Sequence, residues 1–180
     1  ENTMKGLMQD WPLLVHRLLD HASAWHGERE IVSRSVEGPI HRETYREMDQ
    51  RSRALACAVR AKLGVKMGDI VATMAWNTYR HMEIWYGIMS LGAVVHTLNP
   101  RLFAEQLIYI VNHAEDQWIF IDLTFVPIFE KLQDQLAGVK GFVIMTDQAH
   151  MPPSTSLKNP VCYEDLITAG DASFGWPELD

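Results

Sequence analysis

The chain has 180 residues, 47% hydrophobic and 22% charged, the profile of a globular protein able to bury roughly 70% of its unfolded surface in one core or two small ones. Its formal charge of −7, its pI near 5.6 and the scatter of its Lys and Arg residues argue against a nucleic-acid or anionic-membrane surface and leave small molecules and proteins as partners. Cys57 and Cys162 form no C-x-x-C pair, no run is apolar enough for a transmembrane segment, and the start lacks a signal-peptide pattern, so a reducing, cytoplasmic location is expected.

Met4 reads as the native start, behind Glu1-Asn2-Thr3. From Pro12 onward Leu14, Leu18 and Ala22 recur at helical spacing, with Leu13 and Leu19 beside them, and His26-Gly27 offers a stop. "EIVSRS" and "IHRETY" flank Glu37-Gly38-Pro39, which predicts a hairpin. Thr44 followed by Glu47 is a capping-box signature, and Tyr45, Met48, Leu55, Val59 and Leu63 share one face of a helix that stops at Gly64. "IVATMAW" is a nearly continuous apolar run, as expected of a strand covered on both faces. Asn77 or Thr78 can cap the next helix, Tyr79 to Leu91, which is apolar most of the way round and closes at Gly92.

The alternation continues with strand "AVVHTL", a helix over Ala104 to His113, strand "WIFID", a helix over Val126 to Ala137 and strand "FVIMTD". Short apolar strands alternating with helices predict an α/β fold with a doubly wound, mainly parallel sheet flanked by helices. In such sheets ligands gather beyond the carboxyl ends of the strands, where Asn99-Pro100-Arg101 follows "AVVHTL". Proline lacks the amide proton a ladder needs, so the strand breaks there. "QAHMPPSTSLKNP" reads as a surface loop before a short helix at "YEDLITAG". Three parts follow: 1–43, the N-terminal helix and hairpin; 44–147, a βαβ subdomain; and 148–180, a loop, short helix and tail that reads as truncated.

Chemistry-bearing motifs are sparse. The eight histidines form no H-E-x-x-H pair, so no metal site is expected. There is no Gly-rich phosphate loop and no G-x-S-x-G elbow, which leaves Ser33, Ser52 and Ser90 as structural residues. The pairs Glu115-Asp116 and Glu164-Asp165 are expected to solvate helix ends, and most of the six tryptophans to pack in the core. His96, Asn99 and Arg101 stand evenly between bracing a loop and facing a ligand.

Taken together, "GDIVATMAWN", "MSLGAVVHTLNPRL" and "EQLIYIVNHAED", in this order and separation, resemble the first part of AMP-forming fatty acyl-CoA synthetases, members of the adenylate-forming superfamily. The resemblance covers nearly the whole chain and rests on the combination of segments. It implies a two-step reaction in which a carboxylate attacks ATP to give an acyl-adenylate and pyrophosphate, and coenzyme A then displaces AMP; Mg2+ accompanies ATP. The family's phosphate loop, its adenine- and ribose-binding motifs and its C-terminal lysine have no counterpart in these residues. The chain is therefore expected to be the N-terminal portion of a ligase, inactive alone and binding none of these cofactors tightly. His96, Asn99, Pro100 and Arg101 match a recurrent loop and its strand, with no catalytic role carried over, and are expected to lie near the substrate region, His96 and Arg101 bracing the loop. Related bacterial enzymes dimerise through N-terminal segments, which makes the helix and hairpin a candidate homodimer contact. The alternatives are a non-catalytic flavodoxin-like binding module or one subunit of a split ligase. The acyl-chain length is not legible.

Overall fold

The computed structural model describes residue 6 and residues 11–179; the reading of Met4 as a native start lies outside them. Helix α1 runs His16–His26. It buries His16 and Leu19 and leaves Leu18 exposed, as is Leu13 just before it, so its inward face is rotated from the one expected from Leu14, Leu18 and Ala22. Contacts to later elements set that rotation: Asp20 accepts from Arg53 at 2.6 Å, and the His16 ring lies 5.9 Å from that of Trp176. Strands β1 (Glu30–Arg34) and β2 (Ile40–Thr44) form the expected antiparallel hairpin. Gly38 turns it at φ +113°, a conformation open to glycine and strained for other residues. The capping box at Thr44 and Glu47 opens α2 (Tyr45–Ala58), which continues into one wider turn over Val59–Leu63.

The main sheet has five parallel strands in the order β4-β3-β5-β6-β7. They are β3 (Ile70–Met74), β4 (Val94–Thr97), β5 (Trp118–Ile121), β6 (Gly141–Ile144) and β7 (Pro160–Cys162). Sequence reading placed residues 160–162 partly in a loop; β7 is three residues long and opens on a proline, which the edge of a sheet tolerates. At the other edge lies β4, with Val94 48% exposed.

Helices cover both faces, as the alternating pattern predicts. On one side α2, α3 (Tyr79–Met89) and α6 (Tyr163–Thr168) pack over Val71, Phe120 and Val143. On the other, α4 (Ala104–Ala114) and α5 (Val126–Leu132) pack over Ala72, Met74, Ile119, Ile121, Phe142 and Ile144. Successive strand residues point to opposite faces, so covering both faces requires the continuous apolar runs seen in β3, β5 and β6. Helix α5 is shorter than expected and passes into a 3-10 turn over Gln133–Gln135. After α6 the chain presses on α2 so closely that a Cβ on Gly170 would overlap the Ala54 carbonyl.

Two packing expectations are corrected. Trp118 is 8% exposed and donates to the Leu63 carbonyl at 3.1 Å, but Trp11, Trp25, Trp76 and Trp85 are 54%, 76%, 51% and 45% exposed. Trp11 lies in the segment before α1, Trp76 past the end of β3, and Trp25 and Trp85 on outward faces of α1 and α3. Helix α3 is not buried through its apolar residues alone: its inward side includes Arg80 and Glu83. Thr78 makes no side-chain cap; the Ser33 hydroxyl of β1 accepts from the Tyr79 N–H at 3.1 Å in its place.

Candidate functional site

Numbered within the parallel sheet, the strand order is 2-1-3-4-5. Connections leave β3 in opposite directions, which opens a crevice between the carboxyl ends of β3 and β5, where open α/β sheets bind ligands. Here the crevice is filled by the chain itself. The Trp76 amide donates to Asp122 Oδ2 at 2.6 Å, and the Trp76 indole leans on Phe125 at 5.4 Å. Asp122 is 1% exposed, and burial pushes its carboxyl up to about 6 against the opposing pull of the Trp76 amide.

At the end of β4, Leu98 is buried and donates to the Thr73 carbonyl at 2.8 Å, anchoring the break. Asn99 Oδ1 accepts from the Arg101 amide at 3.0 Å, an Asx turn that lets the chain reverse after Pro100. Asn99 and Arg101 are exposed and Pro100 is half-buried. Among the described residues the Arg101 side chain makes no hydrogen bond or ion pair. His96 does not reach this loop: its Nδ1 donates to Asp116 Oδ2 at 2.9 Å, just before β5 begins. Asp116 is fully buried, and burial pushes it up to about 6 despite the His96 hydrogen bond. The four residues singled out in the sequence thus fall into two places, a strand-to-strand tie at His96 and a self-contained turn at 99–101. Asp116 is a buried partner, not the helix-end solvating group expected.

Sequence reading missed the densest polar assembly, which joins the hairpin, α2, α3 and α6. Arg51 donates from Nε to Glu83 Oε1 and from a second nitrogen to Glu164 Oε2 at 3.0 Å. Arg80 donates to Glu164 Oε1 and to Glu37 Oε1, both at 2.8 Å, and to the Met145 carbonyl at 3.1 Å. The Tyr163 hydroxyl donates to Glu83 Oε2 at 2.7 Å. Glu83 and Glu43 have side chains 0% and 3% exposed. Burial, then the Glu83 carboxylate, pushes Glu43 up to about 8, so it is mostly protonated at neutral pH. Burial also raises the Glu83 pKa, against the opposing pull of Arg51, while Glu164 and Glu37 share the guanidinium of Arg80. The available signal was Arg80 and Glu83, three apart on one side of an apolar helix; their partners Arg51 and Glu164 lie far away in sequence.

Beside this assembly an open groove of about 650 Å3 runs between α1, β1 and α3, lined by Leu18, Ile31, Val32, Met82, Trp85 and Met89. His81 borders it as a neutral ring: Trp85 Nε1 donates to its Nε2 at 3.2 Å, so its Nδ1 donates to the Trp76 carbonyl at 3.2 Å. Burial lowers its pKa.

Comparison with known proteins places this architecture. The chain is 42% identical over 179 residues to a medium-chain-fatty-acid–CoA ligase of Ectopseudomonas oleovorans, covering 98% of the chain and 32% of the relative. It is 42% identical over 181 residues to a 3-methylmercaptopropionyl-CoA ligase of Ruegeria lacuscaerulensis, with the same coverage of 98% and 32%. The chain thus spans about a third of the length of these relatives. Its fold superposes on an anthranilate CoA ligase crystallised with anthranoyl-AMP, with a TM-score of 0.79 at 17% identity over 94% of this chain and 31% of that one. A long-chain-fatty-acid CoA ligase described as putative, from Rhodopseudomonas palustris, gives 0.73 at 22% identity over 92% and 38%. Residues 19–169, from α1 through the end of α6, match the model of the AMP-binding enzyme family, and to that family the chain belongs.

Proposed function

We propose that the chain is the N-terminal portion of an AMP-forming acyl-CoA ligase that activates an aliphatic carboxylic acid. The identity running along nearly the whole chain to ligases named for medium-chain fatty acids and for 3-methylmercaptopropionate carries this reading. In the first step a carboxylate oxygen attacks the α-phosphorus of ATP and pyrophosphate leaves. In the second the thiol of coenzyme A attacks the acyl carbon, AMP leaves and the thiol proton passes to solvent. The residues present do not fit ATP with its Mg2+: the sequence has no Gly-rich cradle, and the crevice where a nucleotide would lie in such a sheet is closed by Trp76 and Asp122. No step of the reaction is assigned to this chain's side chains. Its role is to scaffold, with the ionic assembly fixing α2, α3 and α6 against the sheet.

The turn at 99–101 is exposed at a strand end, and we place it near the substrate region of the whole enzyme. The test is acyl-CoA formation by the full-length protein across straight-chain acids, with Arg101→Ala compared. Turnover of medium-chain acids is expected, with an altered KM for the acid in the variant and an unchanged melting temperature. Absence of acyl-CoA with every acid contradicts the ligase reading, and an unchanged KM contradicts the placement of the loop. The second reading is a flavodoxin-like binding module that performs no catalysis. The strand order favours it, and the filled crevice supports the ligase reading over it. Among the described residues no helix is long and apolar enough to cross a membrane; a cytoplasmic homodimer is the proposed state, with α1 and the hairpin as its contact.

A further inference from the structure

The turn of the hairpin meets the loop after β6. There Glu37, Asp147 and His150 each bring one donor atom within 4.8 Å of the other two. Glu37 is the unusual member. Its side chain is 4% exposed. Its Oε1 is committed, accepting from Arg80 at 2.8 Å and from the Thr146 hydroxyl at 2.6 Å. Its Oε2 is buried and has no hydrogen-bond partner. An orphan carboxylate oxygen away from water is costly and calls for a cation or a donor.

The other two residues are set by a 3-10 turn over Gln148–His150. Asp147 Oδ1 accepts from the His150 amide at 3.0 Å and lies 2.7 Å from His150 Nδ1. That separation is close to the ~3 Å between neighbouring ligands about 2.1 Å from one metal ion. Both side chains are open to solvent, His150 at 50% and Asp147 at 43%, so an ion can enter and keep water on its free positions.

We propose that Glu37, Asp147 and His150 bind a divalent transition-metal ion of the class that accepts mixed imidazole and carboxylate ligands, Mn2+ or Zn2+, with water completing the shell. The ion takes the place of the hydrogen bond between Asp147 Oδ1 and His150 Nδ1, with the ring proton carried on Nε2. Arg80 and Thr146 orient Glu37 from the far oxygen, as outer partners of metal ligands do. The consequence is a clamp between the hairpin turn and the end of β6, independent of the ligase reaction. Spacing rules passed over the site because Glu37 is more than a hundred residues from its partners.

The test is titration of MnCl2 into the full-length, EDTA-stripped protein without nucleotide, with free Mn2+ followed by electron paramagnetic resonance. Mn2+ is the probe because the thiols of Cys57 and Cys162 compete poorly for it. The wild type is expected to bind one more ion per chain than His150→Ala or Asp147→Asn, or to bind it at least tenfold more tightly, and Mn2+ is expected to raise the melting temperature of the wild type alone. His150 is exposed, so its removal leaves the metal-free melting temperature unchanged. Equal stoichiometry and affinity in wild type and both variants overturns the site.

Discussion

Glu43 sits on β2 with its side chain almost wholly buried, and its carboxyl is pushed up to about 8, first by burial and then by Glu83. Its pKa is therefore higher in the folded chain than in the unfolded one. Such a group leaves stability intact below its unfolded pKa of 4.5 and removes it as pH rises toward 8. Glutamine keeps the shape and cannot ionise. Glu43→Gln is expected to melt with the wild type at pH 5 and about 4–8 °C above it at pH 9, corresponding to ~2 kcal/mol for a domain of this size. Melting curves whose difference does not change with pH contradict this assignment.

At the scale of elements, Arg51 is the common fastening of α2 to α3 and α6. Removing it leaves Glu83 buried beside Tyr163 without a cation. Arg51→Ala is expected to cost about 3–5 kcal/mol in urea unfolding, and Glu83→Gln in the same chain to recover part of that. A loss under ~1 kcal/mol shows that the joint is solvated and the account of it wrong. What sequence could and could not reveal divides along the same line. β3, β5 and β6 were legible because a strand covered on both faces must be apolar throughout, and α2 was legible because Thr44 and Glu47 write its start locally. The capping of α3 was not, since Ser33 reaches it from another element. Neither was β7, which is three residues long and opens on Pro160. Asn99-Pro100-Arg101 marked the end of β4 correctly through proline's missing donor. That His96 turns instead to Asp116 depends on β3 lying between β4 and β5, which no local pattern encodes.

For the whole molecule, the apolar side chains left open near the start decide the proposed assembly. Leu13, Leu18, Trp25 and Val32 are 100%, 67%, 76% and 53% exposed on α1, the segment before it and the hairpin, and clustered apolar exposure of this kind marks interaction surfaces. Light scattering of the full-length enzyme is expected to give a dimer that Leu18→Glu dissociates; a monomeric wild type contradicts the contact. The central claim is the division of labour, with activation of the acid performed by the ligase and this chain serving as its scaffold. The most direct measurement is ATP–pyrophosphate exchange with a medium-chain acid, run in parallel on the full-length enzyme and on residues 1–180. Exchange by the full-length enzyme and none by the 180-residue chain is the predicted result. Exchange by the short chain, or its absence in both, contradicts it.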